Sequence, residues 1–212
     1  MGQMPIYLYL WDRQSRQEAS DTTVTALAKD YIHRNEEVLS IDPRDASQFL
    51  IVRDAKGKPY FTSMPGLHFS LSHSGSMGAC AFHRDSIGLD IQIHASVDKE
   101  KIAKRFFHPQ EYAYLEKEAF LSFFQVWVAK ESYVKYTGEG ISSGLNSFSV
   151  VEKGRLRDRM GSVCFYHQKH MEQDKEQGLQ QQYSLCLCAD EIPGICVIDE
   201  REMYLPFGYS RI

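Results

Sequence analysis

Three short runs of this sequence combine residue types that can do chemistry. The first is Gly88-Leu89-Asp90-Ile91-Gln92. On a strand, period two puts Asp90 and Gln92 on one face and Leu89 and Ile91 on the other. An acid in so apolar a strand is costly unless it is paired or bound to a metal; an edge strand with one wet face would also accommodate it. The second run is WVAKESYVK at 127–135. On a helix Trp127, Glu131 and Lys135 recur at i, i+4 and i+8 and share one stripe, which suits a site or a solvated Glu–Lys pair worth about 0.3–0.5 kcal/mol. The third is Ser72-His73-Ser74-Gly75, preceded by Gly57-Lys58-Pro59. Hydroxyl, imidazole and turn amides together can hold a phosphate, begin a Ser–His nucleophilic arrangement, or simply close a hairpin. The other histidines (33, 68, 83, 94, 108, 167 and 170) have no metal-ligand spacing and are assigned no role.

These residues need elements to hold them. Residues 4–11 read as an opening strand, 22–34 as a helix capped by Asp21, and 49–54 as a strand ending in the turn AKGKP. Segments 68–72, 77–83 and 86–93 follow as an antiparallel meander. Helical period then runs through VDKEKIAKRF, PQEYAYLEKE and AFLSFFQVWVAKESYVKYT, with Pro109 in a first turn. Strands return at LNSFSVV, SVCFYH, QYSLCLCA and ICVID, and MEQDKEQGLQQQ reads as a solvated hairpin loop. The class is α+β, and each half supplies helix plus antiparallel strands, a pattern that suits a pseudo-symmetric pair. Residues 94–98 are the natural joint, giving halves 1–97 and 98–212, although no residue-level repeat links them.

Composition narrows the partners. The chain has 212 residues, a net charge of -4 and 43% hydrophobic content, enough for a sizeable core. The halves carry 9 basic against 11 acidic residues and 15 against 17, so neither offers a basic face for nucleic acid. The opening MGQMPIYLYLWD meets Asp12 too soon for a signal peptide or membrane span. The five cysteines are odd in number and form no C-x-x-C pair, which points to buried free thiols and a cytoplasmic setting.

Order and joint presence add more than any single run. GKPYF, HFSLSHSG, GLDIQ, IAKRFF and WVAKESYVKYTGEGI, in that order from about Lys56 to Val150, resemble the 4'-phosphopantetheinyl transferase superfamily, specifically its larger surfactin-synthetase-activating type. The resemblance implies two similar α/β halves in a pseudo-two-fold arrangement, with antiparallel sheets, a long helix and an active site in the cleft between the halves. It implies transfer of the phosphopantetheine arm of coenzyme A to a serine of an acyl or peptidyl carrier protein, releasing 3',5'-ADP, by a monomer that needs magnesium.

By that resemblance Asp90, Gln92 and Glu131 are the magnesium ligands. Gln92 stands where many relatives have a second carboxylate; its amide oxygen can serve a hard cation but adds no charge. Glu131 is the expected general base, and Lys135 the group that neutralises charge on the pyrophosphate. Lys58, Ser72, His73 and Lys130 are the expected phosphate contacts for coenzyme A, together with Lys135. Lys104 and Arg105 would serve structure or carrier docking, and the cluster Lys153, Arg155, Arg157 and Arg159 either docking or a surface turn. Upstream, Lys29, Arg34 and Arg44 are too sparse to match the family's basic helix and receive no role. Two other classes fit parts of the pattern. One is an adaptor that binds carriers or coenzyme A without turnover. The other is a magnesium-dependent nuclease, disfavoured because Ile93-His94, not a lysine, follows Gln92.

Overall fold

The structure is a computed structural model that describes residues 4–13, 20–35, 39, 41–42, 44–140, 144–173 and 180–200. In chain order the elements are β1 (Ile6–Asp12), α1 (Ser20–Arg34), β2 (Ile51–Arg53), β3 (Pro59–Phe61), β4 (His68–Ser74), β5 (Met77–His83) and β6 (Ile87–Ile93). Then come α2 (Lys99–Phe106), α3 (Pro109–Lys117), α4 (Phe123–Thr137), β7 (Val151–Glu152), β8 (Arg155–Leu156), β9 (Arg159–Met160), β10 (Val163–Gln173), β11 (Gln180–Ala189) and β12 (Ile195–Asp199). The strands form two four-stranded sheets, β12-β1-β5-β4 and β6-β11-β10-β9, and two ribbons, β2-β3 and β7-β8.

Period-two alternation builds the layers. Ile6, Leu8 and Leu10 of β1, Met77, Ala79 and Ala81 of β5, Leu89, Ile91 and Ile93 of β6, and Leu185 and Leu187 of β11 meet in one apolar layer between the sheets. The opposite face of the first sheet, with Tyr9, Trp11, Cys80 and Phe82, packs on Val24, Leu27, Tyr31 and Ile32 of α1. The opposite face of the second, with Phe165, Cys186 and Cys188, packs on Phe124, Val128 and Ala129 of α4 and on Leu115 of α3. The order is helix, sheet, sheet, helices, an α+β architecture. All five cysteines are free thiols, and Cys80, Cys186 and Cys188 are buried.

Several boundaries differ from the expected ones. The chain's last described strand, β12, returns to pair in parallel with β1, so the first sheet is not wholly antiparallel. The strand that carries Asp90, β6, pairs with β11 of the second sheet. The sheets therefore do not divide at Val97: residues on each side of it contribute to both. Asp21 lies inside the first turn of α1 rather than before it, where its charge still favours the helix N-terminus. The helix expected from Ala119 begins at Phe123, because Ala119 and Phe120 take positive φ values of 52° and 59° to reverse the chain after α3. LNSFSVV is a short 3-10 turn over Leu145–Ser147 followed by the two-residue β7, not one strand. The expected hairpin loop 171–182 shrinks, since β10 runs to Gln173 and β11 starts at Gln180; the residues between lie outside the description.

The elements that matter most are β6 and α4, which lie against each other. Gly88 permits this: a Cβ there would sit 2.0 Å from the Ser132 carbonyl oxygen. Gly138, at φ 68°, ends α4 in the left-handed conformation. Asp98 caps α2 by accepting from the Lys101 N–H. His108 and Glu111 form a reciprocal capping box at the start of α3, with Pro109 in the first turn.

Candidate active site

The face of β6 opposite the inter-sheet layer presents Gly88, Asp90 and Gln92 toward α4. Asp90 is buried at 6% exposure, yet its carboxylate is well supplied. Its Oδ1 accepts from the Ser72 hydroxyl at 2.7 Å and from the Lys135 ammonium at 2.8 Å. Lys135 also donates to the Leu71 carbonyl at 3.4 Å. Gln92 spends its amide nitrogen on the Ser74 hydroxyl at 2.8 Å and its neighbour's carbonyl at 3.0 Å, which turns the amide oxygen the other way.

One turn before Lys135, Glu131 is half-buried and makes no hydrogen bond or ion pair among the described residues. Burial first, and the charge of Asp90 second, push its carboxyl above the usual range, with Lys135 partly opposing them. The two carboxylates thus feel each other across the β6–α4 junction, with a single ammonium between them. Such a site holds surplus negative charge.

Glu131 and Lys135 open onto a cavity of about 270 Å³ lined also by Lys58, Leu71, Val134 and Gly138. It shares Lys58, Phe69 and Gly138 with an adjoining space of about 490 Å³ bordered by Tyr60, His68, Ser86 and Tyr136. Lys58 is delivered by the AKGKP turn, whose Asp54 carboxylate accepts from the Lys56 and Lys58 amides at 2.8 and 2.9 Å. The Lys58 ammonium donates to the Tyr136 carbonyl at 2.9 Å, and burial lowers its pKa from the usual lysine value. Lys58 thus sets a partly desolvated ammonium in the lining of the cavity that Glu131 also borders, a suitable seat for an anion.

The structure does not gather every expected contact. Ser72 is buried, its hydroxyl committed to Asp90 rather than to the open cleft. His73, its neighbour on the strand, points to the exposed side. Lys130 is the clear departure. Its ammonium, 0% exposed, is ion-paired with Glu111 at 2.7 Å, donates to the Phe148 carbonyl at 2.8 Å and lies over the Phe148 ring. The 100° step per residue on a helix turns it away from the face that carries Glu131 and Lys135, so it is not a phosphate contact here. Trp127 likewise stacks on Phe123 and lies near Phe107 inside the helical layer. The upstream cations are occupied: Lys29 lies over the Phe49 ring, and Arg34 and Arg44 pair with Asp30 and Asp42. Lys104, Arg105, Lys153 and Arg155 are exposed, while Arg157 pairs with Glu152 at 3.6 Å. Sequence reasoning missed Glu111, for which the available signal was an acid at the third position of a helix, and named Ser74 without its partner Gln92.

For a metal, the available donors are oxygens: Asp90 Oδ2, the Glu131 carboxylate and Gln92 Oε1. Hard oxygen donors with two negative charges suit magnesium or a similar ion. Among the described residues no group of three His, Cys, Asp or Glu is placed to hold one, and the third donor here is an amide. The set fits, with a smaller charge than three carboxylates would give.

Comparison with known proteins bears on these same elements. Residues 86–188 match the family model of the 4'-phosphopantetheinyl transferase superfamily. A 4'-phosphopantetheinyl transferase of Bacillus subtilis is 42% identical over 108 residues, 48% of this chain and 45% of the relative. The 4'-phosphopantetheinyl transferase Sfp of Bacillus subtilis strain 168 is 40% identical over 110 residues, 50% of this chain and 49% of its own. The 4'-phosphopantetheinyl transferase gsp of Aneurinibacillus migulanus is 38% identical over 105 residues, 48% of this chain and 43% of its own. The chain thus matches somewhat under half the length of these curated relatives. The segment that matches the 4'-phosphopantetheinyl transferase superfamily is thus the one that carries Asp90, Gln92, Glu131 and Lys135.

Proposed function

We propose that this protein transfers the 4'-phosphopantetheine group of coenzyme A to a serine hydroxyl of an acyl or peptidyl carrier protein, releasing 3',5'-ADP. One observation carries the reading: two carboxylates from different elements, Asp90 on β6 and Glu131 on α4, share a charge-rich junction at the mouth of a cleft walled by Lys58 and Lys135. Neighbouring diphosphate charges repel an incoming alkoxide, and a magnesium ion held by Asp90, Glu131 and the Gln92 amide oxygen would supply the neutralisation.

The chain's own groups do the rest. Glu131, a half-buried carboxylate on the cavity wall, takes the proton of the carrier serine as its oxygen bonds to phosphorus. The phosphorus–oxygen bond to the departing 3',5'-ADP breaks in the same displacement. Lys135 holds Asp90 in place and puts positive charge at the cleft edge, and Lys58 on the facing wall meets the phosphates of the nucleotide end. His73, on the exposed side of β4, is available to the same end; Ser72 is not.

The halves read as a fused pair. The order β1, α1, a two-stranded ribbon, then the hairpin β4–β5 recurs as β6, α4, a ribbon, then β10–β11, and the sheet orders β1-β5-β4 and β6-β11-β10 correspond. A site between two such halves needs one chain, so the protein acts as a monomer. Free thiols suit a reducing, cytoplasmic setting, and among the described residues no helix is long and apolar enough to cross a membrane.

The test is mass spectrometry of apo-carrier incubated with the protein, coenzyme A and magnesium. One phosphopantetheine is added per carrier, and none in the presence of a chelator. Glu131→Gln lowers the transfer rate by about 10²–10⁴ while coenzyme A still binds. Transfer at the parent rate by that variant removes Glu131 as the base, and no transfer by the parent protein to any carrier leaves the adaptor reading.

A further inference from the structure

We propose that Ser72 and Ser74 are positioning residues that aim the two cation-facing side chains of β6 from the other sheet. The proposal rests on the transferase reading of the same site.

β4 and β6 are the edge strands of the two sheets. They do not pair through their backbones. Instead, three serine hydroxyls of β4 accept the outward N–H groups of β6: Ser70 from Leu89 at 2.9 Å, Ser72 from Ile91 at 3.2 Å and Ser74 from Ile93 at 3.0 Å. Both strands have side-chain period two, and each rung spans the same 19 residues, so the strands run parallel and in register through hydroxyls. The ladder satisfies a row of buried N–H groups that a sheet edge would otherwise leave open.

The rungs are not equivalent. Ser70 lines the cavity beside Glu131, makes its backbone bond and hydrogen-bonds neither Asp90 nor Gln92. Ser72 adds a donated bond to Asp90 Oδ1 at 2.7 Å, and so leaves Oδ2 as the open oxygen. Ser74 accepts from the Gln92 amide nitrogen at 2.8 Å and holds it against the Ile93 carbonyl, an acceptor only, at 3.0 Å; together they turn the oxygen, not the nitrogen, outward. A carboxamide presents a donor or an acceptor by a flip about one bond, and only the acceptor end can face a cation. Asn and Gln contribute to metal sites in just that orientation, and outer partners that fix ligands are worth about 10–100-fold in affinity. Lys135 shares Oδ1 with Ser72, so the two hydrogen bonds to Asp90 come from both sides of the junction. The first sheet thereby sets the donor geometry of the second, a role for Ser72 different from contact with coenzyme A.

The unequal rungs supply the control. Ser70→Ala, Ser72→Ala and Ser74→Ala each orphan one β6 N–H and lower the melting temperature by similar amounts. Binding of Mn²⁺ to the protein without coenzyme A, followed by electron paramagnetic resonance, separates them. Ser72→Ala weakens Mn²⁺ binding about tenfold or more, Ser74→Ala weakens it by a smaller factor because the amide carries no charge, and Ser70→Ala leaves it at the parent value. Ser72→Thr, which keeps the hydroxyl, restores the parent affinity. Equal weakening by Ser70→Ala and Ser72→Ala would reduce the ladder to a structural seam and overturn the proposal, as would parent-like Mn²⁺ binding by Ser72→Ala. Asp90→Asn keeps the two readings apart. If it abolishes Mn²⁺ binding while Ser72→Ala does not, only the positioning role fails; if it binds Mn²⁺ like the parent, the metal reading of the site itself fails.

Discussion

Lys130 and Glu131 are adjacent on α4, and they belong to two opposite kinds of buried charge. Around Lys130 the account is closed. Its ammonium meets the Glu111 carboxylate, the Phe148 carbonyl and an aromatic face, while Glu111 also accepts from the Val150 amide at 2.8 Å and the His108 amide at 2.9 Å. Every strong valence is used, nothing is exposed, and the pair ties α3, α4 and the start of β7 together. Around Glu131 the account is open. Two carboxylates share one ammonium, Glu131 itself is unbonded among the described residues, and a cavity lies in front of it. The lesson is that residue type and burial do not distinguish structure from chemistry here; the balance of charge and hydrogen bonds does. A completed buried network stabilises one conformation, whereas an incomplete one is poised to take a ligand.

Three experiments would break or sharpen that contrast. The largest effect is expected at the closed cluster. Lys130→Met leaves Glu111 charged and unpaired in the core and lowers unfolding free energy by about 3–5 kcal/mol in urea titration. Adding Glu111→Leu recovers most of the loss, because an apolar pair of similar volume replaces both charges. A single variant no less stable than the parent would mean that the pair is not as sealed as its 0% exposure indicates.

Next, Gly88→Ala addresses the junction that the open cluster depends on. Its Cβ would meet the Ser132 carbonyl oxygen at 2.0 Å and the Tyr136 amide nitrogen at 2.5 Å, both backbone atoms that cannot swing aside. Separating α4 from β6 costs about 1–3 kcal/mol, and pulls Lys135 and Glu131 away from Asp90. Parent-like stability and Mn²⁺ affinity in this variant would refute the clamped junction.

The smallest effect is a gain. A carboxyl held above its ordinary range binds its proton more tightly in the folded state than in the unfolded chain. Stability therefore falls as pH rises through the unfolded and then the folded value, and the penalty is fully present above both. Glu131→Gln removes it, so in the absence of metal the variant melts above the parent at about pH 7.5. The gain disappears near about pH 3, where the carboxyl is protonated in both states. A variant that melts below the parent at neutral pH would show that Glu131 is satisfied after all.

Much of this was legible in the sequence, and unevenly so. MGACAFH and ICVID occur as the strands expected, because bounded apolar runs leave few alternatives. GLDIQ and WVAKESYVK place Asp90 and Gln92 on one strand face, and Glu131 and Lys135 on one helical stripe, since those periods are properties of the backbone. Lys130 could not be assigned in the same way. A lysine next to the site has the same letter whether it faces the cleft or a buried glutamate 19 residues upstream. The serines were equally opaque, since their partners lie on another strand.

Local period and residue chemistry were thus decided by the sequence alone: which strongly periodic segments favour helix or strand, which side chains share a face, and which superfamily's motifs they resemble. Tertiary structure decided which strand edge lies beside which, and hence that β6 joins the second sheet, that β12 returns to the first, and that hydroxyls of β4 hold Asp90 and Gln92. The reason is physical. Periodicity is set by bonds between neighbours along the chain, but the meaning of a charge depends on whether groups far away in sequence complete its hydrogen bonds or leave it open.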